Sequence, residues 1–277
     1  MTVKNNHWQK FSTNWEVIGS PLRPNEEDIS FIETEILAKL KLNLSIIYRV
    51  VILGVTPDFI SLSWSDNIEI IAIDKSSEMI ANIWNKNENH KKKRTVILGH
   101  WQNIPLPDNC CDIILADGCF TQLDYPNSYN QVLQELKRIL KPQGLFSSRF
   151  FLRPSQTEKI TNIFCDLKAG NIGNFHLFKL RLAAALQKST EAGIPVDYIY
   201  QIWKENISNP DEILHQLGWS LDLLKTINVY ENSPSIYSFP TLEEVKNLFG
   251  NYFTELSCNF PHYEQGSLFP TIIFQNS

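Results

Sequence analysis

Cysteine is sparse and unpatterned in this chain. The five thiols, at 110, 111, 119, 165 and 258, include no C-x-x-C pair and no His/Cys metal-ligand spacing. An odd count without a framework excludes a disulfide scaffold and a metal site, and fits reduced, mostly buried thiols in a cytoplasmic protein. Long apolar runs are missing as well. None reaches about 18 residues, and Met1-Thr2-Val3-Lys4-Asn5-Asn6 leads into no apolar segment. Neither a secretory signal nor a transmembrane helix is expected, and no membrane partner. Positive charge is not in excess: the formal net charge is −5, which argues against a nucleic-acid backbone as partner. The one basic run, His90-Lys91-Lys92-Lys93-Arg94, sits in a polar stretch and reads as a solvated loop. No internal repeat or low-complexity segment is visible.

What the 277 residues do contain is a core: 43% are hydrophobic and 12% aromatic, enough for one large domain or a domain with a substantial insertion. Strands are expected at Tyr48–Leu53, Glu69–Ile73, Thr95–Leu98, Asp112–Ala116 and Leu145–Leu152. Their continuous apolar character suits a parallel sheet covered on both faces. A helix is expected at Pro126–Leu140, where Tyr129, Val132, Leu133, Leu136, Ile139 and Leu140 form one stripe. Lys141-Pro142-Gln143-Gly144 then turns the chain into the next strand. From about 155 to 235 the period is helical, with no convincing strand; "HLFKLRLAAALQKST" reads as amphipathic and "DYIYQIWKENI" as aromatic-rich. "TLEEVKNLFG" follows with a capping box, Thr241 to Glu244, and Gly250 as its stop. Phe253–Cys258 and Leu268–Phe274 read as a closing antiparallel hairpin. The expected fold is α/β: a doubly wound, mainly parallel sheet with a terminal antiparallel hairpin and a helical cap insertion. Its parts are an N-terminal helical cap (1–46), the sheet core (47–154), the insertion (155–235) and the closing helix and hairpin (236–277).

The stretch "VVILGVTPDFI", residues 50–60, runs a buried strand into one glycine and then a helix start. Thr56 is expected to cap, Pro57 to take the first helical position and Asp58 to favour the positive dipole end. Gly54 permits a tight turn where open α/β sheets bind ligands. A hydroxyl and a carboxylate already occupy the place of a pyrophosphate, which weighs against NAD or FAD. Asp74 ends the next apolar strand, "IEIIAID", twenty residues after Gly54, at the position of an acid that grips ribose hydroxyls.

On these residues the chain resembles the class I, Rossmann-like S-adenosylmethionine-dependent methyltransferases. "VVILGVTPD" is similar to their first motif and "IIAIDKSSEMI" to the second. "GHWQNIPLPDNCCDIILADGCFTQL" and "LQELKRILKPQGLFSSRF" are similar to the segments that follow. The resemblance implies S-adenosylmethionine as cofactor. It places Gly54, Val55 and Thr56 along its methionine half, Asp74 on the ribose, and Lys75 and Met79 beside the adenine. Gly99-His100-Trp101 falls near the adenine amino group, with His100 where the family has an acid; Trp101 packs on the purine or serves the core. Asp117 and Gly118 face the sulfonium region. Ile52 stands where the family has an acid, and Thr56 and Asp58 where it has glycines. The amino-acid end of the cofactor therefore needs a partner from elsewhere. The N-terminal segment offers Arg23, behind a stripe of Trp8, Phe11 and Trp15; the alternative for Arg23 is an ion pair with Glu26 or Glu27.

Methyl transfer from a sulfonium needs positioning more than acid–base help, so the sequence names no catalytic residue. His176, His215, His262, Tyr263 and Asp117 are eligible bases, and for each histidine the ordinary reading is a surface or satisfied core residue. Cys119 reads as a small buried hydrophobe. "ADGCFTQL" lacks an Asn-Pro-Pro-Tyr-like signature, which argues against methylation of exocyclic base amines or glutamine amides. A small-molecule acceptor is expected, with the insertion as its lid and a pocket lined by some of Phe175, Tyr198, Tyr200 and Trp203. The rivals are a non-catalytic cofactor-binding or partner module and a nicotinamide-dependent oxidoreductase. Oligomeric state is not legible.

Overall fold

The computed structural model describes residues 12–13, 15–37, 45–84 and 93–277. Trp8 and Phe11 of the expected N-terminal stripe, and His90 to Lys92 of the basic run, lie outside the described residues.

Seven strands form the main sheet: β1 Tyr48–Leu53, β2 Ile68–Asp74, β3 Arg94–Leu98, β4 Cys111–Asp117, β5 Leu140–Arg149, β8 Thr254–Asn259 and β9 Thr271–Gln275. Two short strands, β6 Ile194–Pro195 and β7 Ile236–Tyr237, pair separately. The main order is β3-β2-β1-β4-β5-β9-β8. β1 to β5 are parallel, and β9 is antiparallel to both β5 and β8. The chain leaves β1 in one direction through β2 and β3, then crosses back to β4 on its other side. The carboxyl ends of β1 and β4 therefore flank the switch point, where such sheets open a crevice.

β1 shows why these residues form a central strand. Val50 through Leu53 are fully buried. Val51 and Leu53 join one core, with the Asn127–Ile139 helix, while Val50 and Ile52 join the other, with Phe59, Trp64 and Ile83. Alternation sends neighbours to opposite faces, and both faces are covered, so the strand is apolar throughout. Each such side chain contributes about 1.5–3 kcal/mol by burial. The helix Asn127–Ile139 buries the expected stripe, Tyr129, Val132, Leu133, Leu136 and Ile139. The capping box of Leu242–Phe249 also forms, with Glu244 N–H donating to Thr241 Oγ1 at 3.2 Å and Thr241 N–H to Glu244 Oε2 at 2.6 Å.

Three expectations are corrected. The helix Phe175–Leu186 is not amphipathic: ten of its twelve residues are buried, because the insertion wraps its own core around it. The insertion region also holds a strand, β6, whose two residues are too few to print a period of two in the sequence. Finally, Thr56 precedes the helix Pro57–Ile60 without a side-chain capping bond.

Candidate functional site

A cleft of about 930 Å³, counted to its opening into solvent, lies at the carboxyl edge of the sheet. Its floor is the turn after β1, Leu53 to Thr56, between Asp74 at the end of β2 and Asp117 at the end of β4. Its roof comes from segments distant in sequence: Trp15, Ile18 and Leu22 of the N-terminal segment, Phe151 after β5, Leu180 of the insertion and Tyr237 of β7.

Gly54 adopts φ +89°, a conformation that disfavours side chains. A Cβ there would stand 3.8 Å from Asp74 Oδ2 and 3.9 Å from Trp101 Cζ2. The missing side chain thus leaves a slot between a carboxylate and an indole. The indole is pinned, since Trp101 Nε1–H donates to the carbonyl of Ile73 at 2.7 Å. Asp74 Oδ1 accepts the Ser76 amide at 2.8 Å, but burial prevails and pushes its carboxyl up to about 6. Gly118, at φ +60°, is needed for a different reason: a Cβ would meet the Phe151 ring at 2.7 Å.

Nine of the twelve residues expected from sequence line this cleft: Gly54, Val55, Thr56, Asp74, Lys75, Met79, Trp101, Asp117 and Gly118. Gly99, His100 and Arg23 do not. Gly99 donates its amide to the Asp74 carbonyl at 2.9 Å and shapes the turn, and His100 is exposed. Arg23 forks onto Asp58, with Nη2 2.9 Å from Oδ1 and Nε 3.2 Å from Oδ2, and lies over the Trp15 ring. It pairs with neither Glu26 nor Glu27, as the sequence alternative had it. Asp58, the carboxylate standing where glycine was expected, is what holds it.

The aromatics expected around an acceptor are not those found. Phe175 and Trp203 pack with Phe178 inside the insertion, and Tyr198 is exposed; the cleft takes Trp15, Trp101, Phe151 and Tyr237 instead. The histidines are occupied elsewhere. His176 is buried and bonded to the Val17 carbonyl at 2.9 Å, with burial pulling it down to about 3. His262 is exposed and bonded to Glu27 at 2.7 Å, and His215 is exposed on the helix Pro210–Leu217. Cys119 is buried, donates to the Leu53 carbonyl at 3.2 Å, and has its thiol pushed well up by burial.

Sequence reasoning missed a buried network behind Asp117. Arg149, the last residue of β5, donates from Nε to Asp117 Oδ1 at 2.6 Å. The Tyr263 hydroxyl accepts from Arg149 Nη1 at 3.3 Å and donates to Asp28 Oδ2 at 3.3 Å. The available signal was a lone arginine in the apolar run "LFSSRFFL", because charged residues are almost never fully buried unpaired. Asp28 was hidden as an ordinary helix cap, accepting the Asn25 amide at 3.0 Å.

Residues 53–148 match the family described as a methyltransferase domain. No curated protein matches the chain. Among solved structures, the N-methyltransferase NodS from Bradyrhizobium japonicum WM9, in complex with S-adenosyl-L-homocysteine, is 10% identical, with a TM-score of 0.51 over 98% of both chains. A SAM-dependent methyltransferase from Methanosarcina mazei is 14% identical, with a TM-score of 0.51 over 82% of this chain and 92% of that one. A Rhodobacter sphaeroides protein provisionally named a zinc-dependent alcohol dehydrogenase is 15% identical, with a TM-score of 0.57 over 98% of both chains. At such identities these likenesses show the fold alone. Among the described residues no helix is long and apolar enough to cross a membrane, and no group of three or more His, Cys, Asp or Glu is arranged to hold a metal ion. With the family match running from the end of β1 into β5 and the cleft lying at the carboxyl ends of these strands, residues 53–148 carry a methyltransferase domain on a Rossmann-like sheet, the domain for which S-adenosylmethionine is the cofactor.

Proposed function

We propose that the cleft binds S-adenosylmethionine along the sheet edge and directs its methyl group to a small-molecule acceptor. The observation that carries this reading is the slot that Gly54 leaves between Asp74 and Trp101. A diol needs a carboxylate acceptor and a flat base needs apolar walls; Asp74 offers the first, and Met79 and Trp101 the second. In this reading Lys75 also flanks the adenine, Gly54, Val55 and Thr56 border the methionine half, and Asp117 and Gly118 border the sulfonium. Gly99 and His100 take no direct part, and Arg23 serves Asp58 rather than the cofactor. The donor set suits a ligand without phosphates, because Asp74 and Asp117 line the cleft, Asp58 follows its turn, and a pyrophosphate would meet repulsion.

When bound, the cofactor would supply a methyl group on a positively charged sulfur and leave as a neutral thioether. The chain's part is to orient the acceptor and exclude water. Trp15, Ile18, Leu22 and Leu180 give the cleft a largely apolar roof, which suits a small, partly apolar acceptor and not a nucleic acid. Residues 155–235 act as the lid through Leu180, and the β6–β7 pairing holds their neck.

Calorimetry tests the site. Asp74→Ala should weaken both S-adenosylmethionine and S-adenosylhomocysteine by at least ~1.5–3 kcal/mol, the scale of hydrogen bonds to a charged acceptor. A labelled methyl group should appear on members of a small-molecule panel. Unchanged affinity in Asp74→Ala, or tight NAD binding with none of S-adenosylmethionine, would sink the reading.

A further inference from the structure

Three charged side chains meet behind the β4 end of the cleft, and their charges do not cancel. Arg149 is 1% exposed, Asp28 0% and Asp117 5%. The guanidinium donates to Asp117 at 2.6 Å, stands 3.8 Å from Asp28, and stacks 5.1 Å over the Phe151 ring. One positive and two negative groups leave a surplus of one negative charge. A buried arginine needs only one carboxylate for neutrality, so the second is unexplained by pairing alone. Among the described residues nearby charge does not absorb the surplus: Asp58 is matched by Arg23, and Lys75 stands on the Asp74 side of the cleft.

The surplus reaches the cleft at one place. Asp117 lines it, while Asp28 and Arg149 lie behind. Asp117 sits at the end of β4 and Asp74 at the end of β2, two strand steps apart through β1. With neighbouring strands about 4.8 Å apart, the two carboxylates lie roughly 10 Å from each other along the sheet edge. A nucleoside held by its ribose at Asp74 can therefore extend its 5′ substituent toward Asp117.

We propose that Asp117 is the counter-charge by which the site distinguishes the positively charged cofactor from its neutral product, with Arg149 and Asp28 as the residues that position it. The proposal rests on the cofactor assignment above and adds to it a preference between two states of the ligand. Binding of the cation neutralises the trio; loss of the methyl group removes that charge and leaves the product with weaker retention. The preference depends on pH. Burial pushes both Asp117 and Asp28 up, against the pull of Arg149. The groups that bear on Asp117 are Arg149 on β5, Asp28 on the Glu26–Ile32 helix, Asp58 after the β1 turn, Cys119, and Tyr263 through Arg149. A proton taken up by the trio cancels the surplus, so the ratio of cation to thioether affinity should rise with pH, whereas ionisation of Asp74 acts on both ligands alike.

The test is equilibrium binding to the full chain of three probes: S-adenosylmethionine, S-adenosylhomocysteine, and sinefungin, which carries an amine in place of the methylsulfonium. The two cationic probes should bind about tenfold tighter than S-adenosylhomocysteine, as one close charge in a partly desolvated site allows. Asp117→Asn should bring all three within about threefold, a difference worth under ~1 kcal/mol, chiefly by weakening the two cationic probes. Asp74→Ala should weaken all three alike. Should Asp117→Asn fail to fold, the wild-type preference decides: it should grow as pH rises. A wild type that binds the thioether as tightly as the cations, a preference that survives Asp117→Asn, or one flat with pH would overturn the proposal. Should Asp74→Ala leave all three probes unaffected, the cofactor assignment itself fails, and the proposal with it.

Discussion

The role proposed for Asp74 in binding comes at the expense of the fold. Its carboxyl stands at about 6 because burial outweighs the Ser76 amide and Lys75. A carboxyl raised above its unfolded value contributes stability that is complete below about 3.8 and is lost as pH rises toward about 6. At neutral pH the ionised group therefore strains the ligand-free protein. Asp74→Asn should raise the melting temperature of the free protein near pH 7, by a change on the order of 1–3 kcal/mol, while weakening the cofactor. A lowered melting temperature would show that the carboxylate is structural. Gly54→Ala should act the other way round. The new Cβ makes only ordinary contacts, so the fold should lose roughly 1–2 kcal/mol from the positive φ, while the filled slot abolishes binding. Both residues were legible in the sequence because each sits where a strand ends, and strand ends face the ligand edge. Arg23 was assigned to the wrong partner for want of knowing that Asp58 lies beside it, 35 residues away in sequence.

At the scale of elements, reading from sequence worked where one force set the boundary. β1 was expected at its observed limits because an apolar run stops at a glycine, and the stripe on Asn127–Ile139 is the stripe it buries. It failed for Phe175–Leu186, since His176, Lys179 and Arg181 mimic a polar face although tertiary packing buries all three. Lys179 gives that misreading a measurable consequence. Its Nζ donates to Thr226 Oγ1 at 2.8 Å between the rings of Phe175 and Tyr230, and burial pulls the amine down to about 7. A lowered amine favours unfolding wherever the unfolded lysine is protonated, so the wild type should gain stability as pH rises from about 7 toward about 10.5. Lys179→Met should be more stable near pH 7 by about 1–4 kcal/mol, with a flatter pH profile; denaturant titration at two pH values decides it. A destabilised variant would mean that the Thr226 bond outweighs the desolvation.

At the scale of the whole molecule, the residues of the cleft's floor were readable, whereas for the roof only the covering segments, the N-terminal cap and the insertion, were expected and not the residues they place there. The floor comes from consecutive strand ends of one sheet, whose order follows from alternating strands and helices. The roof joins residues near 15–22, Phe151, Leu180 and Tyr237, which no periodicity or spacing connects. Arg149 and Asp28 were invisible for a related reason, since one reads as a strand residue and the other as a helix cap until the fold brings them together. Hydrogen–deuterium exchange with S-adenosylhomocysteine tests most directly whether the ligand occupies the floor as assigned. Slowed exchange is expected at residues 53–58, 74–79, 99–102 and 117–122, and it should vanish in Asp74→Ala. Protection confined to other segments, or protection that persists in Asp74→Ala, would contradict the assignment.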